Sequence, residues 1–337
     1  PLAHVYERSA IELASLTVNC SVSFIESLNK FAENLQEIQP TLFAAVPRIW
    51  VGMEQKILER VSPTLLTVLL HIPVISNLIK KKIINNLGFS QCKNYFSGAS
   101  RLPKSTFDFF KTLGLSIQEG YGQTENMAYA TLSLLDEIKI GYVGSPRLNV
   151  QIKLSTEGEL LLHGPCLMSG YYKAPEATAN SFTADGWLRS GDFAEVDSKN
   201  RVKILGRLSE NFKNQSGEYI VPTRIEQYFE KNKLIEQLCL VGQGLIHNVL
   251  LVNLSSAARD VLVRKEVNEN LELNLKSANS NLAKYEKISK IIVVNEAWTV
   301  DNNLMTPTLK IKRKQIDAHY SALVEKVFLQ STNIIWE

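Results

Sequence analysis

The six residues Gly120-Tyr121-Gly122-Gln123-Thr124-Glu125 constrain this chain more than any other stretch. They follow the alternating run Leu113-Gly114-Leu115-Ser116-Ile117, which predicts a strand that ends in a polar turn. Such a turn puts backbone N–H groups and short polar side chains at the C-terminal edge of an α/β sheet, where phosphorylated ligands are held. Thr124 is suited to donate to a phosphate oxygen. Glu125 is suited to hold Mg²⁺, a hard cation that takes carboxylate and phosphate oxygens together. A polar strand-to-helix turn that binds nothing has the same composition, so the rest of the chain must decide.

The chain has 337 residues, enough for two domains. Its 45% hydrophobic and 21% charged residues are those of an ordinary globular protein. A formal charge of +3, with no basic run interleaved with aromatics, argues against nucleic acid as a partner. Cys20, Cys92, Cys166 and Cys239 are far apart and read as reduced thiols, with no zinc or disulfide framework. A cytoplasmic protein is the expectation. Val61 to Ile79 is apolar and is followed by Lys80, Lys81 and Lys82, but Pro63, His71, Pro73 and Asn77 interrupt it. A buried or surface-resting helical pair fits better than a membrane span, with peripheral membrane contact as the alternative.

The remaining pattern is alternating α/β up to Gly120. Residues 1–20 give no good helix start, and Ser21 to Leu35 suits a short strand and then a helix. Pro40 to Pro47 reads as a buried strand, with helices from Trp50 to about Val61 and from Pro103 to Gly114. Beyond Gly141, Val150–Leu154, Glu159–His163 and Arg201–Leu205 read as a small antiparallel sheet or barrel. A domain boundary is placed at about residue 207. Past it, Thr223 and Glu226 have capping-box spacing. A strand is expected at Val249–Leu254, a charged helix from Ala257 to about Ala283, a strand at Ile291–Val294 and an amphipathic helix from Lys314 to about Leu329.

Three further places could carry chemistry. In Gly186-Trp187-Leu188-Arg189-Ser190-Gly191-Asp192 a carboxylate follows a glycine that lets backbone approach a ligand; Asp192 can accept both hydroxyls of a ribose, or simply cap a turn. Arg207, after Gly206, can hold a ribose or phosphate, or be a surface arginine. In Thr306-Pro307-Thr308-Leu309-Lys310, Lys310 sits on an apparent loop, from which one ammonium can neutralise charge that builds up during reaction.

Taken in order, these motifs resemble the adenylate-forming (AMP-binding) superfamily, and within it the long-chain fatty acyl-CoA synthetases. The likeness covers nearly the whole chain. It includes Pro1 to Arg8, Val46-Pro47-Arg48-Ile49-Trp50, the small-residue loop Ser97-Gly98-Ala99-Ser100, Asn281 to Glu286 and Leu304 to Arg313. The resemblance implies an α/β fold: residues 1–206 as the C-terminal part of a large nucleotide- and acyl-binding domain, with α/β layers and a small antiparallel β subdomain. Residues 207–337 would be a smaller, mobile α+β domain, with the hinge near 207–210. It implies that Tyr121 and the Gly98-Ala99 backbone, with Gly122, hold adenine, that Thr124 contacts the α-phosphate and Glu125 binds Mg²⁺, and that Asp192 and Arg207 hold the ribose. Lys310 would bridge carboxylate and phosphate. His4 and Trp50 would flank the acyl chain, although core packing explains Trp50 as well. Lys213 and Gly217 would lie near the thiol acceptor.

The implied substrates are ATP, a long-chain fatty acid and CoA, or an acyl carrier protein in place of CoA. A fatty acyl-AMP ligase or a non-catalytic nucleotide- or acyl-binding relative are the alternatives. Two departures stand out. The family's Ser/Thr/Gly-rich phosphate loop has no counterpart here, so a C-terminal fragment, inactive alone, is expected. Ser209 stands at the pivot where the family carries a charged residue.

Overall fold

A computed structural model describes residues 4–27, 29–255, 258–259, 263–306 and 310–337. The chain divides into two compact units. The first comprises Pro1–Ser190 with Ala194–Ile204, and the second Gly191–Phe193 with Leu205–Glu337.

The first unit opens with a π-helical turn, Glu7–Leu13, and a short helix α1 (Ala14–Val18). The sequence offered no good helix start there. No strand forms between residues 21 and 27, where one was expected, and helix α2 spans Phe31–Ile38. Strands β1 (Leu42–Ala45), β2 (Asn94–Ser97) and β3 (Ile117–Tyr121) are parallel, with Ala45 beside Ser97 and Ser97 beside Glu119. Two-residue strands β4 (Thr131–Leu132) and β5 (Ser145–Pro146) extend the sheet antiparallel beyond β3. The direction of the sheet therefore changes at the strand that carries the glycine motif.

Prolines punctuate the helices between these strands. Pro47, Pro63 and Pro73 start α3 (Pro47–Arg60), α4 (Pro63–His71) and α5 (Pro73–Asn86), where a missing N–H costs nothing. Pro103 is the N-cap of α6 (Lys104–Thr112), whose Thr106, Phe107 and Phe110 turn inward at helical spacing. The two helices α4 and α5 form the expected pair, and among the described residues no helix is long and apolar enough to cross a membrane.

An aromatic cluster fixes this layer. Trp50 is fully buried, edge-on to Phe43 and Phe110 at 5.2 and 5.1 Å, and donates its indole N–H to the Phe96 carbonyl at 3.2 Å. By area, each fully buried ring of this size contributes roughly 4–6 kcal/mol.

Strands β6 (Gln151–Leu154), β7 (Glu159–His163), β8 (Leu188–Val196) and β9 (Val202–Arg207) form a second sheet in that order. The first pair is antiparallel, from Gln151 opposite His163 to Leu154 opposite Leu160. β8 was missed in the sequence because its inward positions include Ser190, Asp192 and Ala194 rather than large apolar residues. Helix α7 (Pro175–Asn180) lies in the connection between β7 and β8.

In the second unit a short hairpin, β10 (Phe212–Lys213) and β11 (Tyr219–Ile220), precedes α8 (Pro222–Glu226). The sheet β12 (Ile235–Val241), β13 (Asn248–Leu254), β14 (Ile288–Val294) and β15 (Ile334–Trp336) is antiparallel at its first pairing and parallel at the next two. Every residue of β13 is buried, because apolar clusters cover both faces of this sheet. The charged helix α9 spans Arg264–Ser280, shorter than expected at both ends, although Ala257 lies outside the described residues. Helix α10 spans Arg313–Val327.

The expected capping box at Thr223 and Glu226 does not form. Thr223 Oγ1 donates to the Leu205 carbonyl at 2.7 Å. Glu226 turns into the core, accepts the Leu240 N–H at 2.7 Å, and forms a two-pronged ion pair with Arg313 at 2.6 and 3.0 Å. A buried guanidinium outcompetes a helix-end amide for the carboxylate.

Candidate active site

In the first unit the site begins where β2 and β3 end side by side. The chain leaves β2 at Ser97 and bends through Gly98 and Ala99, the latter left-handed at φ 69°. A Cβ on Gly98 would lie 3.5 Å from the Tyr6 ring and 3.6 Å from the Gly120 carbonyl. The loop and the motif strand are thus in van der Waals reach. Gly120 and Tyr121 belong to β3 itself rather than to a turn, and the strand begins only at Ile117. At Gly122 a Cβ would sit 2.4 Å from the Ala128 backbone, so only glycine fits.

A 3₁₀ turn, Thr124–Asn126, follows in place of an α-helix. Gln123 and Asn126 close it reciprocally as a capping box, and Gln123 Nε2 donates to the Ser190 carbonyl at 2.7 Å. Thr124 is exposed on this turn. Glu125 is held twice: its carbonyl accepts the Met168 N–H at 2.7 Å, and its Oε1 accepts the Tyr171 hydroxyl at 2.8 Å. That bond to Glu125, and then burial, raise the Tyr171 pKa. Sequence reasoning missed Tyr171, which is 46 residues away and belongs to no motif then singled out. Among the described residues no cluster of three or more His, Cys, Asp or Glu forms a metal cage. One fixed carboxylate fits a Mg²⁺ ion that takes its other ligands from phosphates and water.

Glu119 was also missed. It is buried in β3, its Oε1 accepts the Leu102 N–H at 3.1 Å, and its own carbonyl accepts the Ser133 N–H. It thereby ties the segment after Gly98 and Ala99 to the motif strand. Burial pushes its carboxyl up to about 7, against the opposing influence of the Leu102 N–H and Arg101. The native state therefore binds a proton that the unfolded chain has already lost. Stability contributed by this proton is complete below about 4.5 and is lost as pH rises toward about 7. Glu119→Gln keeps the acceptor and removes the titration. It is expected to flatten the fall in melting temperature across this range, recovering on the order of 1–3 kcal/mol at neutral pH. An unchanged slope would assign the pH dependence elsewhere.

The remaining first-unit candidates are His4 and Trp50. Half-buried His4 accepts the Tyr6 N–H at Nδ1, 3.2 Å away. Trp50 sits in the aromatic core, so of its two possible roles the geometry favours packing.

In the second unit, Asp192 is buried and its Oδ1 lies 3.1 Å from Arg207 Nε. Gly191, at φ 69°, would carry a Cβ 3.6 Å from the same guanidinium. The two ribose candidates therefore meet, with the arginine half exposed over the carboxylate. Ser209 lies in the 3₁₀ turn Leu208–Glu210 and, with Glu210, Asn211, Arg313 and Asp317, lines a cavity. Burial raises the Asp317 pKa, with Arg313 opposing. Lys213 Nζ stands 5.4 Å from the centre of the Tyr219 ring, and Gly217 makes the left-handed turn of that hairpin at φ 79°.

Exposed Lys310 forms the base of a loop whose Pro307, Thr308 and Leu309 lie outside the described residues. Its N–H donates to Thr306 Oγ1 at 3.0 Å, and its carbonyl accepts the Thr306 N–H at 2.8 Å. A bridge between Met305 and Ile311 closes the loop from below.

Comparison with known proteins identifies the family and the fold. The profile of the AMP-binding enzyme family matches residues 1–172, and that of the AMP-binding enzyme C-terminal domain matches residues 213–332. Long chain acyl-CoA synthetase 7, peroxisomal, of Arabidopsis thaliana is 27% identical over 98% of this chain and 54% of its own length. Long-chain-fatty-acid–CoA ligase 1 of Cavia porcellus is 28% identical over 97% and 53%. Long-chain-fatty-acid–CoA ligase FadD15 of Mycobacterium tuberculosis is 26% identical over 97% and 61%. The chain thus spans between about half and two thirds of these relatives.

Among solved structures, the adenylation domain of the carboxylate reductase of Mycobacterium chelonae superposes with a TM-score of 0.74 at 23% identity, covering 98% of this chain and 53% of that one. O-succinylbenzoate coenzyme A synthetase from Bacillus subtilis, in complex with AMP, gives 0.68 at 18% identity, covering 94% and 59%. The fold is the mixed α/β arrangement of adenylate-forming domains, as the resemblance implied.

Proposed function

This chain belongs to the AMP-binding enzyme family, and from that premise we propose that the whole protein is an ATP-dependent long-chain fatty acid–CoA ligase. The names of the relatives that cover nearly all of the chain support the fatty-acyl substrate class. The observation that carries the chemistry is the turn after β3, where Thr124 is exposed and Glu125 is fixed by Tyr171.

The reaction has two halves. A fatty acid carboxylate oxygen attacks the α-phosphorus of ATP, a new P–O bond forms, and the bond to pyrophosphate breaks. The thiolate of CoA then attacks the acyl carbon, AMP leaves with the bonding pair, and the thiol proton passes to solvent. Phosphoryl transfer of this kind depends on positioning and on charge neutralisation. Tyr121, Gly122 and the Gly98-Ala99 backbone orient adenine. Thr124 donates to the α-phosphate. Asp192 accepts the ribose hydroxyls, and Arg207 holds that carboxylate in place. Glu125 would hold Mg²⁺, which supplies positive charge against the phosphates. Lys310 neutralises the carboxylate and α-phosphate as they approach. His4 lines the acyl chain, while Trp50 packs the core; Lys213 and Gly217 serve the thiol. Ser209 is the pivot between residues 1–206 and 207–337, where a small residue absorbs dihedral change.

The direct test supplies the whole protein with palmitate, ATP, Mg²⁺ and CoA. Palmitoyl-CoA, AMP and pyrophosphate are the expected products; ADP and phosphate would refute the reading. Offering a phosphopantetheinylated carrier protein in place of CoA separates the carrier-protein synthetase, and accumulation of acyl-AMP identifies a fatty acyl-AMP ligase. The 337-residue chain alone is expected to catalyse little or no palmitate-dependent ATP–pyrophosphate exchange, because it spans only about half to two thirds of the relatives it matches. Robust exchange by this chain would overturn that dependence.

A further inference from the structure

A loop between β7 and α7 grips the turn that carries Glu125. Met168 donates its N–H to the Glu125 carbonyl at 2.7 Å, and Tyr171 donates its hydroxyl to Glu125 Oε1 at 2.8 Å. Backbone and side chain of Glu125 are thus both held. Tyr171 is itself anchored. Its N–H donates to Thr178 Oγ1 at 2.8 Å, and its carbonyl accepts the Ala174 N–H at 3.2 Å. The Thr178 hydroxyl in turn donates to the Ala174 carbonyl at 2.9 Å. Thr178 belongs to α7, so the phenol reaches the carboxylate from a closed turn tied to a helix. Every one of these contacts is internal to the first unit.

A phenol has one proton to donate, so it engages one carboxylate oxygen. With Oε1 taken by Tyr171, a cation meets Glu125 through Oε2. The number of oxygens offered separates divalent cations. Mg²⁺ demands near-octahedral geometry at about 2.0–2.1 Å, which a single carboxylate oxygen satisfies. Ca²⁺, at about 2.3–2.6 Å, also accepts both oxygens of one carboxylate. A hydrogen-bond partner behind a ligating carboxylate therefore orients it and tunes which metal it suits.

We propose that Tyr171 is a positioning residue that sets metal choice. By holding Oε1 it presents Glu125 as a one-oxygen ligand, and so favours the Mg²⁺ complex of the nucleotide over the Ca²⁺ complex. The inference rests on the reading that Glu125 takes the cation carried by ATP, and it adds to that reading a residue 46 positions away that decides which cation is taken.

The test measures how tightly the whole protein binds α,β-methylene-ATP, whose α–β bridge cannot be cleaved, in saturating Mg²⁺ and again in saturating Ca²⁺. Tyr171→Phe is expected to weaken the Mg²⁺ complex on the order of 10-fold. It should leave the Ca²⁺ complex unchanged or tighter, because Oε1 is released to it. Retained Ca²⁺-dependent binding shows at the same time that the variant is folded. Equal weakening of both complexes would make Tyr171 a general support of its loop and overturn the proposal, as would no change in either. Glu125→Gln separates the two levels, since it is expected to weaken the Mg²⁺ complex at least as much as Tyr171→Phe does. A Mg²⁺ complex indifferent to Glu125→Gln would overturn the placement of the cation on Glu125, and the proposal with it.

Discussion

Lys310→Ala in the whole protein is expected to lower palmitate-dependent ATP–pyrophosphate exchange by at least on the order of 10²–10³-fold, the loss typical of removing one group that stabilises developing charge. Transfer of the acyl group from supplied palmitoyl-AMP to CoA should stay near the rate of the unsubstituted protein. The separation follows from the chemistry. Two anions must meet before the first bond forms, whereas the second step joins a thiolate to an activated carbonyl from which AMP departs. The local structure favours this role, because Thr306 and the Met305–Ile311 bridge pin the base of the loop while the lysine remains exposed. Both half-reactions are assayed on one preparation of the variant. Equal loss of the two would remove Lys310 from its assigned step.

The second large effect is on stability and is independent of chemistry. Glu226→Gln removes the charge that faces Arg313, which is buried and also touches the Leu240 carbonyl. Glu210, at 3.9 Å from Arg313, is half open to solvent and cannot replace it. Breaking a buried pair from one side costs about 3–5 kcal/mol, because the remaining charge is left without its partner. Glu226→Gln should therefore lower the unfolding free energy of the second unit, read from its denaturant transition, by that amount. Adding Arg313→Met should restore much of it, since an unpaired charge is then no longer buried. Losses that simply add would show that the pair is not coupled.

Some of this was legible in the sequence and some was not, for identifiable reasons. Helix α6 announced itself through its proline start and α10 through its amphipathic pattern; α3 was legible from Trp50 onward although it begins at Pro47, and β7 and β13 showed as short apolar strands. Strand β8 was hidden because its inward face carries Ser190 and Asp192, so the apolar alternation that marks a half-buried strand is absent. β12 was hidden because both its faces are covered, so inward Cys239 and Val241 and outward Leu240 look alike. Thr223 and Glu226 misled because their local spacing suits a cap while each serves a distant partner, Leu205 and Arg313. At the site, Thr124, Glu125, Asp192 and Lys310 stood in recognisable motifs. Glu119 and Tyr171 act through Leu102 and Glu125, contacts that exist only once the chain is folded.

Exchange of labelled pyrophosphate into ATP by the whole protein tests the central claim most directly. The account predicts exchange that requires Mg²⁺ and a long-chain fatty acid, and that Lys310→Ala and Thr124→Val each suppress. Exchange indifferent to the fatty acid, or its absence from a folded whole protein that binds ATP, would contradict it.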